Sequence, residues 1–205
     1  MSTPKEYFEQ LLDRLQTECL FGQVHYRMWR FLNSSFDKEP DLAKLSLFFF
    51  KSSGEAHLDS ATLHLNRLID RRRDALDVST LIRFAKKHPS IFENANPSQI
   101  EEQVEKDLEW LTDNETPLER FRQQRNNHFI HLSKEYFSNP SRDVYADYPT
   151  TYLELYDTLC KIGELLNRYS FYLNDSTLHM EMMEEQPAHK SLLYYLRLAL
   201  EQSKL

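Results

Sequence analysis

Thirteen consecutive residues, Glu119-Arg120-Phe121-Arg122-Gln123-Gln124-Arg125-Asn126-Asn127-His128-Phe129-Ile130-His131, bring three arginines and two histidines together with amides between them. Within this stretch Arg125-Asn126 is followed, after four residues, by His131. A histidine moves a proton near neutral pH. An arginine is always charged and holds a phosphate through a planar fork of donors. A proton carrier beside a phosphate holder is the pair that RNA cleavage without a metal ion requires. Arg122-Gln123-x4-His128 repeats the spacing one turn earlier, so Arg122 and His128 are expected to help bind substrate.

On an α-helix each residue turns about 100° and rises about 1.5 Å, so Arg125 and His131 would stand about 120° and about 9 Å apart. Long side chains converge from that separation on a bound phosphate rather than on each other. The same stripe also suits a solvated helix face with one buried histidine, its cations placed to favour the helix dipole. Spacing alone leaves both readings open.

The elements that must position these groups read as helices. The chain has 205 residues, 40% hydrophobic and 28% charged, and only 3 glycines, which disfavours a glycine-rich nucleotide loop and a turn-rich β-fold. Apolar residues recur at three- and four-residue steps from residue 5 to about 33, where Thr3-Pro4 supplies a cap and Asn33-Ser34-Ser35 a stop. A second long helix is expected over 40 to about 73, opened by Pro40-Asp41, with the all-apolar run Leu47-Phe48-Phe49-Phe50 enclosed by other helices. Shorter helices follow over about 79–88, ended by His88-Pro89, and over 97 to about 112. The motif helix should cover about 117–137, followed by an exposed loop over 140–148 and a helix over about 149–173. A terminal helix over about 189–203 completes an all-α chain with no repeat and no convincing strand. The expected organisation is one helical domain over 1–175 with a C-terminal helical extension over 176–205.

Several function classes are disfavoured. Cys19 and Cys160 stand far apart and read as two reduced thiols, with no zinc ribbon or finger. His57 and His64 are seven apart, not the four of a helical metal pair, and read as structural; no metal or other cofactor is expected. Met180, Met182 and Met183 among glutamates read as a surface segment. No run is long enough to span a membrane and the start lacks a signal-peptide core, so the expected location is the cytoplasm. The net charge of -7 argues against broad nucleic-acid binding but permits a local basic site. Arg71-Arg72-Arg73 reads as a solvated helix end, with RNA contact as the alternative.

Arg125-Asn126-x4-His131 resembles the R-x4-6-H motif of HEPN domains, including the polar residue after the arginine. The surroundings resemble the AbiU-type branch, linked to abortive phage infection: Leu63-x-Leu65-x-x-Leu68-Ile69-Asp70, then Val78-Ser79-Thr80-Leu81, with the motif about fifty residues later. The resemblance covers about residues 5–175. It implies an all-α, HEPN-like bundle of long antiparallel helices that dimerises, bringing two motifs into one cleft, and a metal-independent endoribonuclease acting as a toxin or in phage defence. His131 would serve as base or acid, Arg125 would stabilise charge on the phosphate, and Asn126 would orient the phosphate or the histidine. RNA is the implied substrate, a second copy the implied partner, and an antitoxin-like protein a further one. The position two residues after His131 is Ser133, where nucleotidylation-silenced HEPN toxins carry tyrosine, so silencing at that site is not expected. A non-catalytic helical module binding RNA or protein is the alternative.

Overall fold

A computed structural model of the chain describes residues 2–38, 47–72, 74–129, 136, 138, 139, 141–177, 194 and 198. Its elements, in order, are α1 (Pro4–Lys38), α2 (Leu47–Leu68), α3 (Val78–Lys87), a 3-10 turn (Pro89–Ile91), α4 (Pro97–Asp113), α5 (Glu115–Gln124), a π turn (Arg125–Phe129), α6 (Val144–Asp147) and α7 (Tyr152–Asn174). No strand occurs among the described residues, so the all-α reading holds.

Helix α1 is the shared wall of the bundle. Along α2, Arg67 and His64 meet Glu18, His57 meets His25, and Gly54 lies near Asn33. Along α7, Asn167 meets Gln16, Tyr156 stacks on Tyr26, and Tyr152 packs on Trp29. In both series the numbers fall on one helix as they rise on α1, so α2 and α7 each run antiparallel to it. Gly22 lets the three approach, since a Cβ there would come within 2.8 Å of Leu159 Cδ2 and 3.3 Å of His64 Cβ. The stripe Phe8, Leu11, Leu12, Leu15 and Cys19 is buried against Leu159, Ile162, Leu166 and Tyr169 of α7, with Leu81, Ile82, Ile100 and Val104 of α3 and α4 in the same core. Removing such area from water contributes about 25 cal/mol per Å².

Polar residues also meet across the α1–α2 seam. Glu18 accepts from Arg14, His64 and Arg67 at 2.7, 2.7 and 3.1 Å. Burial pushes its carboxyl up, but His64 and Arg67 outweigh it and hold it below the usual glutamate range. His25 and His57 meet through their Nδ1 atoms at 2.8 Å, which requires one imidazole to donate and the other to accept. Both cysteines are free thiols: Cys19 is buried and bonds the Leu159 carbonyl, and Cys160 is half-buried.

The helix ends depart from the sequence reading in ways with physical causes. Ser34 and Ser35 do not stop α1, because both hydroxyls donate back to the Phe31 carbonyl and the helix continues to Lys38. Helix α2 ends at Leu68, so Arg71 and Arg72 lie beyond it; its expected opening at Pro40-Asp41 falls outside the described residues. The Leu47–Phe50 run is not enclosed: Phe48 is 86% exposed and only Phe50 is buried, since one residue in four consecutive helical positions faces the core. The expected loop over 140–148 contains α6, capped by Asp143. Helix α7 starts at Tyr152 because Thr151 and Glu154 form a capping box there. The terminal helix and the methionine segment lie outside the described residues, apart from Tyr194 and Leu198.

Helix α3 starts at an aspartate cap. The buried Asp77 carboxylate accepts from the Thr80 backbone N–H at 2.8 Å and from the Ser79 and Thr80 hydroxyls. Asp77→Ala is expected to lower stability by about 1–2 kcal/mol, measured as a lower urea midpoint at unchanged m-value. An unchanged midpoint would show that the cap contributes nothing to α3.

Candidate functional site

The site is assembled where the chain leaves α2. After Leu68 the backbone turns, and Asp70 Oδ1 accepts the Arg72 N–H two residues on, at 3.1 Å, a local turn that aspartate favours. Its other oxygen, Oδ2, accepts from Arg72 Nε at 2.9 Å and from Arg125 Nη1 at 2.8 Å. Asp70 and Arg125 are both buried, whereas Arg72 is exposed. Burial pushes the Asp70 carboxyl up, but the Arg72 backbone N–H and the two guanidinium groups outweigh it and hold it below the usual aspartate range.

Arg125 opens the π turn that follows α5. Its Nε donates to Asn126 Oδ1 at 3.0 Å, so the guanidinium is fixed at two points. Its Nη2 has no hydrogen bond among the described residues. Asn126 is exposed, and Asn127 bonds back to Gln123 O at 2.9 Å. The π turn closes i→i+5 rather than i→i+4. The 100° rotation per residue used to place the motif on one α-helix therefore does not apply over Arg125–Phe129; α5 stops at Gln124, and most of the remainder of the helix expected to 137 lies outside the described residues.

Helix α5 is braced on both sides. Arg122 is buried and spends its guanidinium on the Ile69 carbonyl at 3.2 Å, Glu115 at 2.5 Å and Glu119 at 2.8 Å. Arg71 also pairs with Glu115. On the other side Gln124 Nε2 donates to Tyr148 O at 2.7 Å and to Thr150 Oγ1 at 2.9 Å, while Arg120 donates to Pro149 O at 2.8 Å and to Glu154 at 3.2 Å. These bonds fix the start of the π turn between the end of α2 and the loop before α7.

Of the residues singled out in the sequence, Arg125 and Asn126 are brought into direct contact. Arg122 sits one turn earlier, engaged in the brace. His131 lies outside the described residues, and only the backbone of His128, within the π turn, is described. The sequence reading gave no role to Asp70, although a leucine–aspartate turn marked it, and gave Arg72, within the triple-arginine run, RNA contact only as the alternative to a solvated helix end. Among the described residues no group of three or more His, Cys, Asp or Glu side chains is placed to hold a metal ion, and no helix is long and apolar enough to cross a membrane.

Asp70→Ala should leave a buried guanidinium without its counter-charge and cost about 3 kcal/mol, whereas Arg72→Ala, at an exposed pair, should cost at most about 0.5 kcal/mol. Because the folded pKa of Asp70 lies below its unfolded value, its contribution is fully present above about pH 4. It is lost as pH falls through the lower folded value. Urea midpoints of wild type and Asp70→Asn should differ steadily from pH 7 to 5 and converge in more acid solution; a gap that persists there would refute the charge pairing.

Among family models, HEPN AbiU2, described as AbiU2, matches residues 5–192. No curated protein and no solved structure matches the chain.

Proposed function

The chain belongs to the HEPN AbiU2 family, and from that premise we propose that it is a metal-independent endoribonuclease acting in abortive phage infection or as a toxin in the cytoplasm. Its catalytic motif is Arg125-Asn126-x4-His131. The observation that carries the reading is the state of Arg125: a guanidinium fixed by Asp70 and Asn126, with its Nη2 edge uncommitted among the described residues. A group held in place before substrate arrives loses little entropy on binding and stabilises charge where it develops.

In the proposed reaction His131 takes the proton from a ribose 2′-hydroxyl. The 2′-oxygen attacks the adjacent phosphorus, and the bond from phosphorus to the 5′-oxygen breaks. Arg125 bears the charge on the non-bridging oxygens, and Asn126 holds the Arg125 fork in plane. The departing 5′-oxygen receives a proton from the motif of a second copy, which requires a homodimer; C2 dimers are the commonest symmetric assembly. The products are a 2′,3′-cyclic phosphate and a 5′-hydroxyl. His128 lies within the π turn between the two motif residues and would contact the neighbouring nucleotide. Arg122 serves the brace rather than the substrate in this proposal, since all three of its nitrogens are engaged. An antitoxin-like protein partner would hold such an activity in check.

The deciding experiment is cleavage of mixed transfer and messenger RNA in EDTA. Wild type should cut and leave cyclic phosphate ends. His131→Ala, and Arg125→Lys, which keeps the charge but loses the planar fork, should each lose about 10²–10⁴-fold in rate. A folded wild-type dimer that binds RNA without cutting it would make the protein a binding module instead.

A further inference from the structure

We propose that Arg72 is a second phosphate-binding residue, which together with Arg125 forms a two-guanidinium cradle for the RNA backbone organised by one carboxylate oxygen. The inference rests on the RNA-directed reading of the motif and deepens it. Arg72 Nε and Arg125 Nη1 both donate to Asp70 Oδ2, at 2.9 and 2.8 Å. Two nitrogens within hydrogen-bond reach of one oxygen lie at most about 6 Å apart. That span is one that the oxygens of a single phosphodiester, or of two neighbouring ones, can bridge. The two side chains differ in a way that suits shared work: the Arg125 side chain is 9% exposed, a fixed inner group, and that of Arg72 is 71% exposed, an outer group facing incoming substrate.

Charge points the same way. Around the end of α2 and the start of α5, Arg71, Arg72, Arg122 and Arg125 face the carboxylates of Asp70, Glu115 and Glu119. Arg71 and Arg122 are given to Glu115 and Glu119, while two arginines share Asp70. Among these described groups the uncompensated positive charge therefore belongs to the Asp70 trio. One phosphodiester, with a single negative charge, completes it. The Nη1 and Nη2 groups of Arg72 have no partner among the described residues, and its Nε anchor directs them without consuming them. Arg71, one residue earlier and similarly exposed, is occupied by Glu115 and serves as the internal control.

The test uses the full chain and a single-stranded RNA with 2′-O-methyl groups throughout, which offers phosphates but no attacking hydroxyl. Kd is measured by fluorescence anisotropy across a salt series for wild type, Arg72→Ala, Arg72→Lys and Arg71→Ala, with melting curves to confirm folding. Arg72→Ala should weaken binding about tenfold and reduce the salt slope by about 0.7, the share of one phosphate contact on a single strand. Arg72→Lys should recover part of the loss, and Arg71→Ala should bind as wild type does. Equal binding and slope in wild type and Arg72→Ala would overturn the cradle, as would an equal loss in Arg71→Ala, which would indicate only diffuse attraction. Wild type that binds this RNA through Arg72 yet fails to cut the unmodified strand would refute the ribonuclease and leave the cradle standing. No binding by wild type would overturn both.

Discussion

A guanidinium taken out of water needs a counter-charge within hydrogen-bond distance, because its desolvation costs several kcal/mol. Asp70 meets that need for Arg125, and much else follows from its doing so. The carboxylate sits just past the end of α2, so the pair joins the long-helix layer to the π turn. Arg122 repeats the join through the Ile69 carbonyl, and Gln124 and Arg120 tie the opposite side of α5 to the loop before α7. The segment that carries Arg125 and Asn126 is thus held between two ends of the layer built on α1.

The acidic balance of the whole chain, -7, would by itself repel a polyanion. At a Debye length of about 8 Å in physiological salt, distant surface charges count for little against those at hand. What an RNA strand would meet near Arg125 is set by how the local carboxylates are shared. Glu115 and Glu119 hold Arg71 and Arg122 within the brace, and Asp70 is divided between two cations. A strongly acidic protein can in this way present a small basic spot without general affinity for nucleic acid.

Much of the helical order was legible because it is local: proline at helix starts, the run ending at His88-Pro89, and the three- and four-residue recurrence of leucine along α1 and α7. Thr3, and Asn96 before Pro97, mark helix starts in the sequence, and the side chains of Glu6 and Gln99 complete those caps in the fold. The misreadings share a cause. Ser34 and Ser35 look like a stop until their hydroxyls bond within the helix, and the four apolar residues from Leu47 look like core until α2 turns three of them outward. Both outcomes depend on side-chain direction, which composition does not encode. At the site, the Arg-Asn pair was visible as a motif. Its partner was not, because no local pattern links Asp70 to a residue fifty-five positions later. Nor does apolar periodicity distinguish a π turn from one more α turn over five polar and aromatic residues.

That sequence separation has a kinetic side. The Asp70–Arg125 pair closes a chain segment containing α3, the 3-10 turn, α4 and α5, so it forms only after that segment has folded back on α2. Closing a longer loop costs more entropy, and pairings distant in sequence tend to form late. The reverse path is as informative. An excursion in which α3 and α4 swing away could part the pair while α1, α2 and α7 stay packed, since proteins open in partial units as well as globally. Amide exchange at the end of α2 and through α5 would then follow the opening of α3 and α4 rather than the melting of the long helices. Anything that grips α3 and α4 would reach the motif through this closure without touching it.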